Sequence, residues 1–311
     1  MTKCNCGALA VYSDAFNPYS HGYCSSCFIN YIEKKILKGV PRRVRGHSIA
    51  VAVSGGKDSL TLLDVLHTYQ AKLKINSLIA VILEEELVEI RRERQNIIRY
   101  IQNQYPEVPV YHVSYSELFR YTLTELVQES DKNKLGFTPC SICGIFRRQA
   151  LFELGAQNEV DFIALGTTLE DEAATRILNL IRGISPSQQP DNTSDNKNYS
   201  SQRLPQRIKP LARVSENLIQ AYIKIKKIPT ISTDCPYTNR SLRSEITSFL
   251  AALTARDPQG SFFFNITKPF QANKKKTVSQ RHTYKCERCQ MISHYILCPT
   301  CRILSTITNS D

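Results

Sequence analysis

The chain is predicted to fold as an α/β protein with a parallel sheet, helices on both faces and a cysteine-rich module at each end. Between residues 47 and 233, short apolar runs alternate with segments of helical periodicity, which is typical of strand–helix–strand units. A glycine pair directly follows the first apolar run, and eight of the eleven cysteines lie near the termini. The predicted strands are 48–53, 77–83, 109–113, 160–166 and 229–233, and the predicted helices are 57–70, 88–104, 143–156, 170–182, 215–226 and 242–256.

The most informative stretch lies between the first predicted strand and helix and reads Ser54, Gly55, Gly56, Lys57, Asp58 and Ser59. Because the two glycines lack a Cβ atom, the backbone can come close to an anion. The free N–H groups at the start of the following helix, the serine hydroxyls and the lysine charge would all favour a bound phosphate. The stretch lacks the spacing of a Walker A loop. An ordinary glycine turn is the alternative, and the flanking strand and helix favour the phosphate loop.

The charge balance points to a polyanionic partner. The formal net charge is +12 and the pI is about 9.2, which suggests nucleic acid first. Two zinc ions bound by eight thiolates would still leave a net charge of about +8. The sequence has no apolar run long enough to span a membrane and no apolar signal-peptide core near Met1. We therefore expect a soluble, cytoplasmic protein.

Composition divides the chain into five parts. The segment before the first predicted strand is poor in apolar residues at first and then becomes a basic amphipathic helix. A polar stretch rich in Ser, Asn, Gln and Asp interrupts the α/β region and predicts a disordered insertion. The predicted parts are a zinc finger at 1–30, a linker helix at 31–46, a catalytic α/β domain at 47–233 with the insertion at 184–206, a helical extension at 234–272 and a zinc ribbon at 273–311.

The C-terminal cysteines form two Cys-x-x-Cys pairs, Cys286 with Cys289 and Cys298 with Cys301, eight residues apart. That spacing predicts one tetrahedral zinc site. Because four thiolates leave no open coordination position, the site would be structural rather than catalytic. The metal would replace a core that so short a ribbon cannot build.

The N-terminal group is less regular. Cys24 and Cys27 have the usual two-residue spacer, whereas Cys4 and Cys6 are separated by a single residue. We predict a second zinc site on these four cysteines, and His21 is an alternative ligand.

Three further cysteines, Cys140, Cys143 and Cys235, are far from both modules. The Cys140–Cys143 pair by itself fits a thioredoxin-like redox pair or half of a third zinc site. With Cys235 as a third thiolate, the set also fits a 4Fe–4S cluster with one iron left open. The spacing does not choose among these.

Taken together, the motifs resemble the tRNA 2-thiolation family of PP-loop ATP pyrophosphatases, which includes the thiouridine synthetase TtuA and cytoplasmic tRNA 2-thiolation protein 1. The resemblance covers nearly the whole chain. Besides both cysteine modules, it includes residues 54–59, Pro139-Cys-Ser-Ile-Cys-Gly-Ile-Phe-Arg-Arg148, Asn179-Leu-Ile-Arg-Gly183, Arg207-Ile-Lys-Pro-Leu211 and Asp234-Cys-Pro-Tyr237.

The resemblance implies an ATP- and Mg²⁺-dependent tRNA sulfurtransferase. A uridine O2 would attack the α-phosphate of ATP, pyrophosphate would leave, and sulfur would then displace AMP to give 2-thiouridine. By resemblance, Lys57, Asp58 and Asp171 would be catalytic and Cys140, Cys143 and Cys235 would hold the 4Fe–4S cluster. The matching ATP-binding positions are Ala52, Ser54, Gly55, Gly56, Lys57, Asp58, Ser59, Ile82, Arg147 and Gly166.

The same resemblance implies partners. They are tRNA, a ubiquitin-like sulfur-carrier protein or sulfide, and a second subunit in a homodimer or in a heterodimer with a non-catalytic paralogue. The family modifies uridine 34 or 54, and the C-terminal Cys286–Cys289 segment favours 34.

Two segments depart from the family pattern besides the shortened N-terminal finger. Gly-His-Asn-x-Asp-Asp is replaced by Gly166-Thr-Thr-Leu-Glu-Asp171, and the Asp-Glu-Gly turn is replaced by Glu84-Glu-Glu86, without a glycine. A non-catalytic tRNA-binding scaffold subunit is therefore the alternative function. The retained Lys57, Asp171 and Cys235 favour the enzyme.

Overall fold

The structure is a computed structural model that describes residues 3–13, 22–184, 205–254, 261–268, 284–293 and 295–308. His21, almost all of the predicted insertion and residues 269–283 lie outside the described residues. Across the described part of the chain, no helix is long and apolar enough to cross a membrane.

The predicted parallel sheet is confirmed. Within the described residues it has five strands in the order β3-β2-β1-β4-β5, and all neighbouring strands are parallel. The carboxyl ends of the strands therefore meet at one edge, where such sheets bind ligands. The strands are β1 (Ser48–Ala52), β2 (Ser77–Glu84), β3 (Val110–Ser114), β4 (Phe162–Leu165) and β5 (Gln206–Ile208), and the C-terminal module adds the antiparallel pair β6 (Tyr284–Lys285) and β7 (Ile292–Ser293).

The predicted helices are present, and the described residues contain further helices besides them. The helices are α1 (Ser25–Gly39), α2 (Lys57–Thr68), α3 (Gln70–Leu73), α4 (Val88–Gln104), α5 (Tyr115–Phe119), α6 (Leu123–Lys132), α7 (Pro139–Gln157), α8 (Leu169–Ile181), α9 (Glu216–Lys226), α10 (Leu242–Thr254), α11 (Ser261–Thr267) and α12 (Pro299–Thr308).

The predicted strand at 229–233 is wrong. This segment has no strand structure, and the backbone N–H of Ile231 donates to the carbonyl of Gly55 at 2.9 Å. Its apolar residues pack against the phosphate loop rather than forming a ladder. The fifth strand is β5, whose Gln206 and Arg207 are partly exposed. An edge strand with two polar residues out of three has no apolar run by which it could be recognised.

Two apolar cores cover the two faces of the sheet. Alternate residues of β1 point to opposite faces, so Ile49 and Val51 belong to one core and Ala50 to the other. The first core includes α1, α2 and α9, and the second includes α5, α6 and α7. Strands β1, β2 and β4 are thus buried on both sides, as expected for the centre of a parallel sheet.

Both terminal modules are anchored in these cores by a helix. Helix α1 begins at Ser25, six residues earlier than the linker helix predicted at 31–46, and buries Phe28, Ile32 and Ile36 in the first core. Helix α12 begins at Pro299, between the two cysteines of the last pair, and buries Ile303 and Ile307 in the second core. The cysteine modules are therefore continuous with the central fold.

Candidate functional site

The loop between β1 and α2 is shaped by its first glycine. Gly55 has φ +88°, a left-handed conformation, and a Cβ there would lie 2.5 Å from Cδ1 of Ile231. Gly56 is the N-cap of α2 and offers no capping side chain. The first N–H groups of α2 have no intrahelical partner and carry the positive end of the helix dipole, so they suit an anion.

Ser59 braces this loop from the inside. Its hydroxyl donates to the carbonyl of Gly56 at 3.0 Å and accepts from the N–H of Ser54 at 3.2 Å, and the side chain is buried. Ser54 is exposed at the mouth of the loop. Of the two hydroxyls, that of Ser54 is therefore the more accessible to a ligand.

Lys57 lies between carboxylates from two parts of the chain. Its Nζ is 3.2 Å from Oδ2 of Asp58 and 2.9 Å from Oε2 of Glu216, the first residue of α9. Burial disfavours the charged form, but the two carboxylates outweigh it and raise the pKa of Lys57. The lysine is therefore a fixed cation beside the loop.

Sequence reasoning missed Glu216. The residue follows β5, and with the fifth strand misplaced at 229–233 its loop could not be recognised as reaching the carboxyl edge of the sheet. The available signal was an acidic residue at the start of a helix, which is common for the helix dipole alone.

Two carboxyl groups near Lys57 are partly buried. Burial raises the pKa of Asp58 to about 6, with Glu216 and Asp171 adding to the shift and Lys57 opposing it. Burial also raises the pKa of Glu170 to about 7. Oδ1 of Asp58 is buried with no hydrogen-bond partner. Carboxylate oxygens are the type of ligand that Mg²⁺ takes in proteins, and several of them lie together at this edge of the sheet.

Gly166 lets the β4–α8 connection touch the phosphate loop. A Cβ at this position would lie 2.9 Å from the backbone N of Ser59 and 3.0 Å from the carbonyl carbon of Asp58. Because both are backbone atoms of the first turn of α2, they cannot move independently of the helix. Glycine at this position therefore allows the segment 166–171 to lie close to the loop 54–59.

The altered segment 166–171 keeps a regular helix start. Thr168 is the N-cap of α8 and forms a capping box with Asp171, with both contacts at 3.2 Å. Since Asn and Thr are both favoured at N-caps, the replacement preserves this local structure. The other carboxylate oxygen of Asp171 is 3.5 Å from the guanidinium of Arg243 on α10. No motif in the sequence points to Arg243.

The turn after β2 also survives without its glycine. Glu86 occupies the left-handed region with φ 60°, where a non-glycine residue is disfavoured. Its carboxylate accepts hydrogen bonds from the backbone N–H and the hydroxyl of Ser116 at 2.8 and 2.9 Å. Two charge-assisted hydrogen bonds can offset the strain of one left-handed residue.

The middle residue of that turn, Glu85, is a buried carboxylate paired with two arginines. Its oxygens are 2.8 Å from Arg94 of α4 and 2.5 Å from Arg147 of α7. Burial alone would raise the pKa of Glu85, but Arg147 and Arg94 outweigh it and hold the pKa below its usual range. Arg147 also donates to Sγ of Cys143 at 3.4 Å.

Each terminal cysteine quartet is assembled in a form that fits one metal ion. Within each set, the four sulfur atoms all lie within 4.8 Å of one another. The N-terminal set consists of Cys4, Cys6, Cys24 and Cys27, and the C-terminal set of Cys286, Cys289, Cys298 and Cys301. In the C-terminal set, backbone N–H groups of Cys298 and Cys301 point at sulfur acceptors at 3.3 Å, which favours thiolates. The donor type and the compactness of the sets fit zinc.

The shortened spacer of the N-terminal module is accommodated by a glycine. Gly7 follows the first pair and has φ +88°, with open space where a Cβ would be. Its N–H donates to the carbonyl of Cys4 at 2.8 Å, which closes the turn.

The third cysteine set is more open. Cys140 and Cys143 lie in the first turns of α7, and Cys235 comes from the segment after α9 and is close enough to both for their charges to interact. These three are not among the sets of the described residues whose ligand atoms all lie within 4.8 Å. The wider arrangement suits a multi-iron cluster better than a single ion. Cys140 and Cys235 are exposed, so one side of the set is accessible.

The ATP-binding roles expected from the resemblance, including those of Ala52, Ile82 and Arg147, all stay predictions. Ala52 ends β1 directly before the loop and is partly exposed. Ile82 lies inside β2 with its side chain buried in the first core, so that its backbone alone could contact a nucleotide.

The sheet order and the glycine loop at its carboxyl edge define the class of protein. Residues 29–251 match the family described as PP-loop domain. The chain also resembles a solved structure, the U34-tRNA thiolase NcsA from Methanococcus maripaludis with its 4Fe-4S cluster. The TM-score is 0.75 at 23% identity, with 98% of this chain and 96% of that chain covered. At this identity the likeness concerns the fold.

Two named relatives align with most of the sequence. Cytoplasmic tRNA 2-thiolation protein 1 from Drosophila virilis is 30% identical over 291 residues, which cover 90% of this chain and 81% of the relative. A probable sulfurtransferase from Methanocaldococcus jannaschii is 25% identical over 302 residues, covering 96% and 86%. The chain therefore belongs to the PP-loop family, and within it to the relatives of cytoplasmic tRNA 2-thiolation protein 1.

Proposed function

We propose that this protein is an ATP-dependent tRNA sulfurtransferase that converts a tRNA uridine to 2-thiouridine. The observation that carries the proposal is the contact between two candidate sites. Arg147 joins Glu85, at the carboxyl end of β2, to the thiol of Cys143. The phosphate loop follows the neighbouring strand β1. An activated base on the loop would thus lie beside the cysteines.

The loop residues would bind the phosphates of ATP. The N–H groups of α2 and the hydroxyl of Ser54 would hold the anion, and Lys57 would offset charge that builds up at the α-phosphate. Asp58, Glu170 and Asp171 would attract Mg²⁺ or accept a proton at this edge. Because Glu216 forms an ion pair with Lys57, the ammonium of Lys57 would already lie at the loop before ATP binds.

The central cysteines would hold a 4Fe–4S cluster. Cys140, Cys143 and Cys235 would leave one position of the cluster without a protein ligand, and the bound cluster would supply a place for sulfur there. Cys143 would be fixed by α7, while Cys235 would close the set from the opposite segment. The two terminal quartets would each bind a structural zinc ion.

The reaction would proceed in two substitutions. The uridine O2 would attack the α-phosphate of ATP and release pyrophosphate, and sulfur would then attack C2 and release AMP with the original oxygen. A sulfur-carrier thiocarboxylate or sulfide would supply the sulfur. The excess of basic residues fits a tRNA substrate whose binding weakens with salt. We propose uridine 34, action in the cytoplasm, and a homodimer or a heterodimer with a paralogue.

The test is a reconstituted reaction. The anaerobically purified protein, loaded with iron and sulfide, is incubated with ATP, Mg²⁺, sulfide and unmodified tRNA, and the nucleosides are analysed by mass spectrometry. We expect 2-thiouridine from the native protein and a loss of at least about 100-fold in the Lys57→Ala variant, because loss of one fixed charge on a reacting phosphate has effects of this size. Lys72→Ala, an exposed lysine on α3, is the matched control. Fragment mapping identifies the modified position.

The scaffold alternative predicts a different result. If ATP and tRNA bind and the cluster forms but no thiouridine appears, the enzyme proposal is overturned. The double variant Thr167→His, Thr168→Asn, which introduces the residues of the family pattern, would then test whether the altered 166–171 segment is the cause.

A further inference from the structure

Glu85 is a carboxylate with two cationic partners. It is 4% exposed, lies at the turn after β2, and accepts one arginine on each oxygen. Arg94, itself 5% exposed, also donates to the carbonyl of Leu83 and is therefore fixed on the β2 side. Glu85 and Arg94 thus form a buried ion pair whose charges nearly cancel.

Arg147 is a second cation in contact with Glu85. Its side chain is 48% exposed, so nothing but its contacts prevents it from extending into water. Glu85 accepts from it at 2.5 Å, and the same nitrogen is 3.4 Å from Sγ of Cys143, one turn earlier on α7. An arginine side chain loses considerable rotamer freedom when it is held in one place. A buried carboxylate can provide the compensating interaction.

The thiol of Cys143 has a second polar neighbour, Tyr115. The hydroxyl of Tyr115 is 3.6 Å from its Sγ and donates to its backbone carbonyl at 3.1 Å. Tyr115 is fully buried in the second core. Cys143 is therefore the member of the central set with a built polar environment, whereas Cys140 and Cys235 are exposed.

We propose that Glu85, fixed by Arg94, is a positioning residue that holds the guanidinium of Arg147 against the thiolate of Cys143. In this way it raises the reduction potential of the iron–sulfur group bound there. The inference rests on the proposed function, since it assumes that the central cysteines bind a cluster. A hydrogen bond and a positive charge at a ligand sulfur stabilise the more negative, reduced cluster.

The sign of the effect separates positioning from simple electrostatics. If Glu85 acted only through its negative charge, removing that charge would raise the midpoint potential of the cluster. If it acts by holding Arg147, its loss releases the arginine into water, the hydrogen bond to sulfur is lost, and the midpoint potential falls.

The experiment measures the midpoint potential of the reconstituted full-length protein by redox titration followed with electron paramagnetic resonance. We expect a lower potential in Arg147→Met and a smaller decrease in Glu85→Gln. Arg148→Met, the next residue on α7, is the matched control and should leave the potential unchanged. A raised or unchanged potential in Glu85→Gln would overturn the positioning role.

The experiment distinguishes failure of the proposed function from failure of the positioning role of Glu85. If the native protein binds no iron, the proposed function fails at the cluster itself. If the cluster forms and Arg147→Met has the native potential, this inference fails while the cluster assignment stands. Since Glu85→Gln leaves Arg94 buried with a weaker partner and can unfold, the half-exposed Arg147→Met keeps the test decisive.

Discussion

The terminal cysteine modules and the carboxyl edge of the central sheet are two kinds of site in one chain. Each module takes its ligands from a short stretch of sequence and closes them within 4.8 Å. The edge of the sheet joins residues as far apart as Lys57 and Glu216, and Glu85 and Arg147. A local site can form as soon as its metal binds, whereas the edge exists only when the whole sheet is assembled.

The largest expected effect breaks a local site. Cys298→Ala should remove one zinc ion from the protein, because three thiolates and a methyl group do not close a tetrahedral site. Structural zinc binding contributes about 10–16 kcal/mol in small zinc-finger peptides, so residues 284–308 should lose protection from hydrogen exchange. Strand β1 should stay protected. Retention of both zinc ions by elemental analysis would contradict the assignment.

The second prediction concerns the central cysteines. Cys235→Ser should abolish stable cluster binding, measured as iron per chain after reconstitution. The free energy of unfolding of the iron-free protein should change by less than about 0.5 kcal/mol, because Cys235 is exposed. A large loss of stability would mean that this cysteine has a structural role like those in the quartets.

The third prediction tests how the edge of the sheet is assembled. Gly166→Ala should destabilise the protein by about 1–3 kcal/mol and weaken ATP binding, because the new methyl group meets the backbone of α2 at 2.9 Å. Gly144→Ala is the matched control in urea unfolding. Its Cβ meets only the end of Arg148 at 3.8 Å, so a helical alanine there should be neutral or stabilising.

A fourth prediction follows from the crowded acids. The raised pKa values of Asp58, about 6, and Glu170, about 7, mean that the folded protein binds more protons than the unfolded chain between about pH 4 and 7. Over this range their contribution makes the free energy of unfolding fall as pH rises, and the loss is complete above the folded pKa values. The double variant Asp58→Asn, Glu170→Gln should have a smaller decrease in magnesium-free buffer. An identical pH profile would show that these groups titrate normally.

The smallest expected effect is at the glycine-free turn. Glu86→Ala should lose both hydrogen bonds to Ser116 and keep the left-handed strain, whereas Glu86→Gly should lose the bonds and relieve the strain. The glycine variant should therefore be more stable than the alanine variant by about 1 kcal/mol. Equal stabilities in urea would mean that the strain at this position is negligible.

Several parts of the fold were accessible from sequence because they depend on neighbours along the chain. The first four strands were predicted within about two residues. Of these, β1, β2 and β4 are buried parallel strands, which are nearly continuous apolar runs. The fifth was misplaced because β5 is a short edge strand with polar residues, while the apolar segment around Ile231 packs on the phosphate loop instead.

The sequence by itself determined the phosphate loop and the two cysteine quartets, because glycine conformation, helix start and ligand spacing are properties of a few consecutive residues. Only the tertiary structure decided that Glu216 reaches Lys57, that Gly166 touches α2, and that Arg147 links Glu85 to Cys143. These contacts depend on the order of the strands and on the packing of helices across the sheet. No periodicity within one segment carries that information.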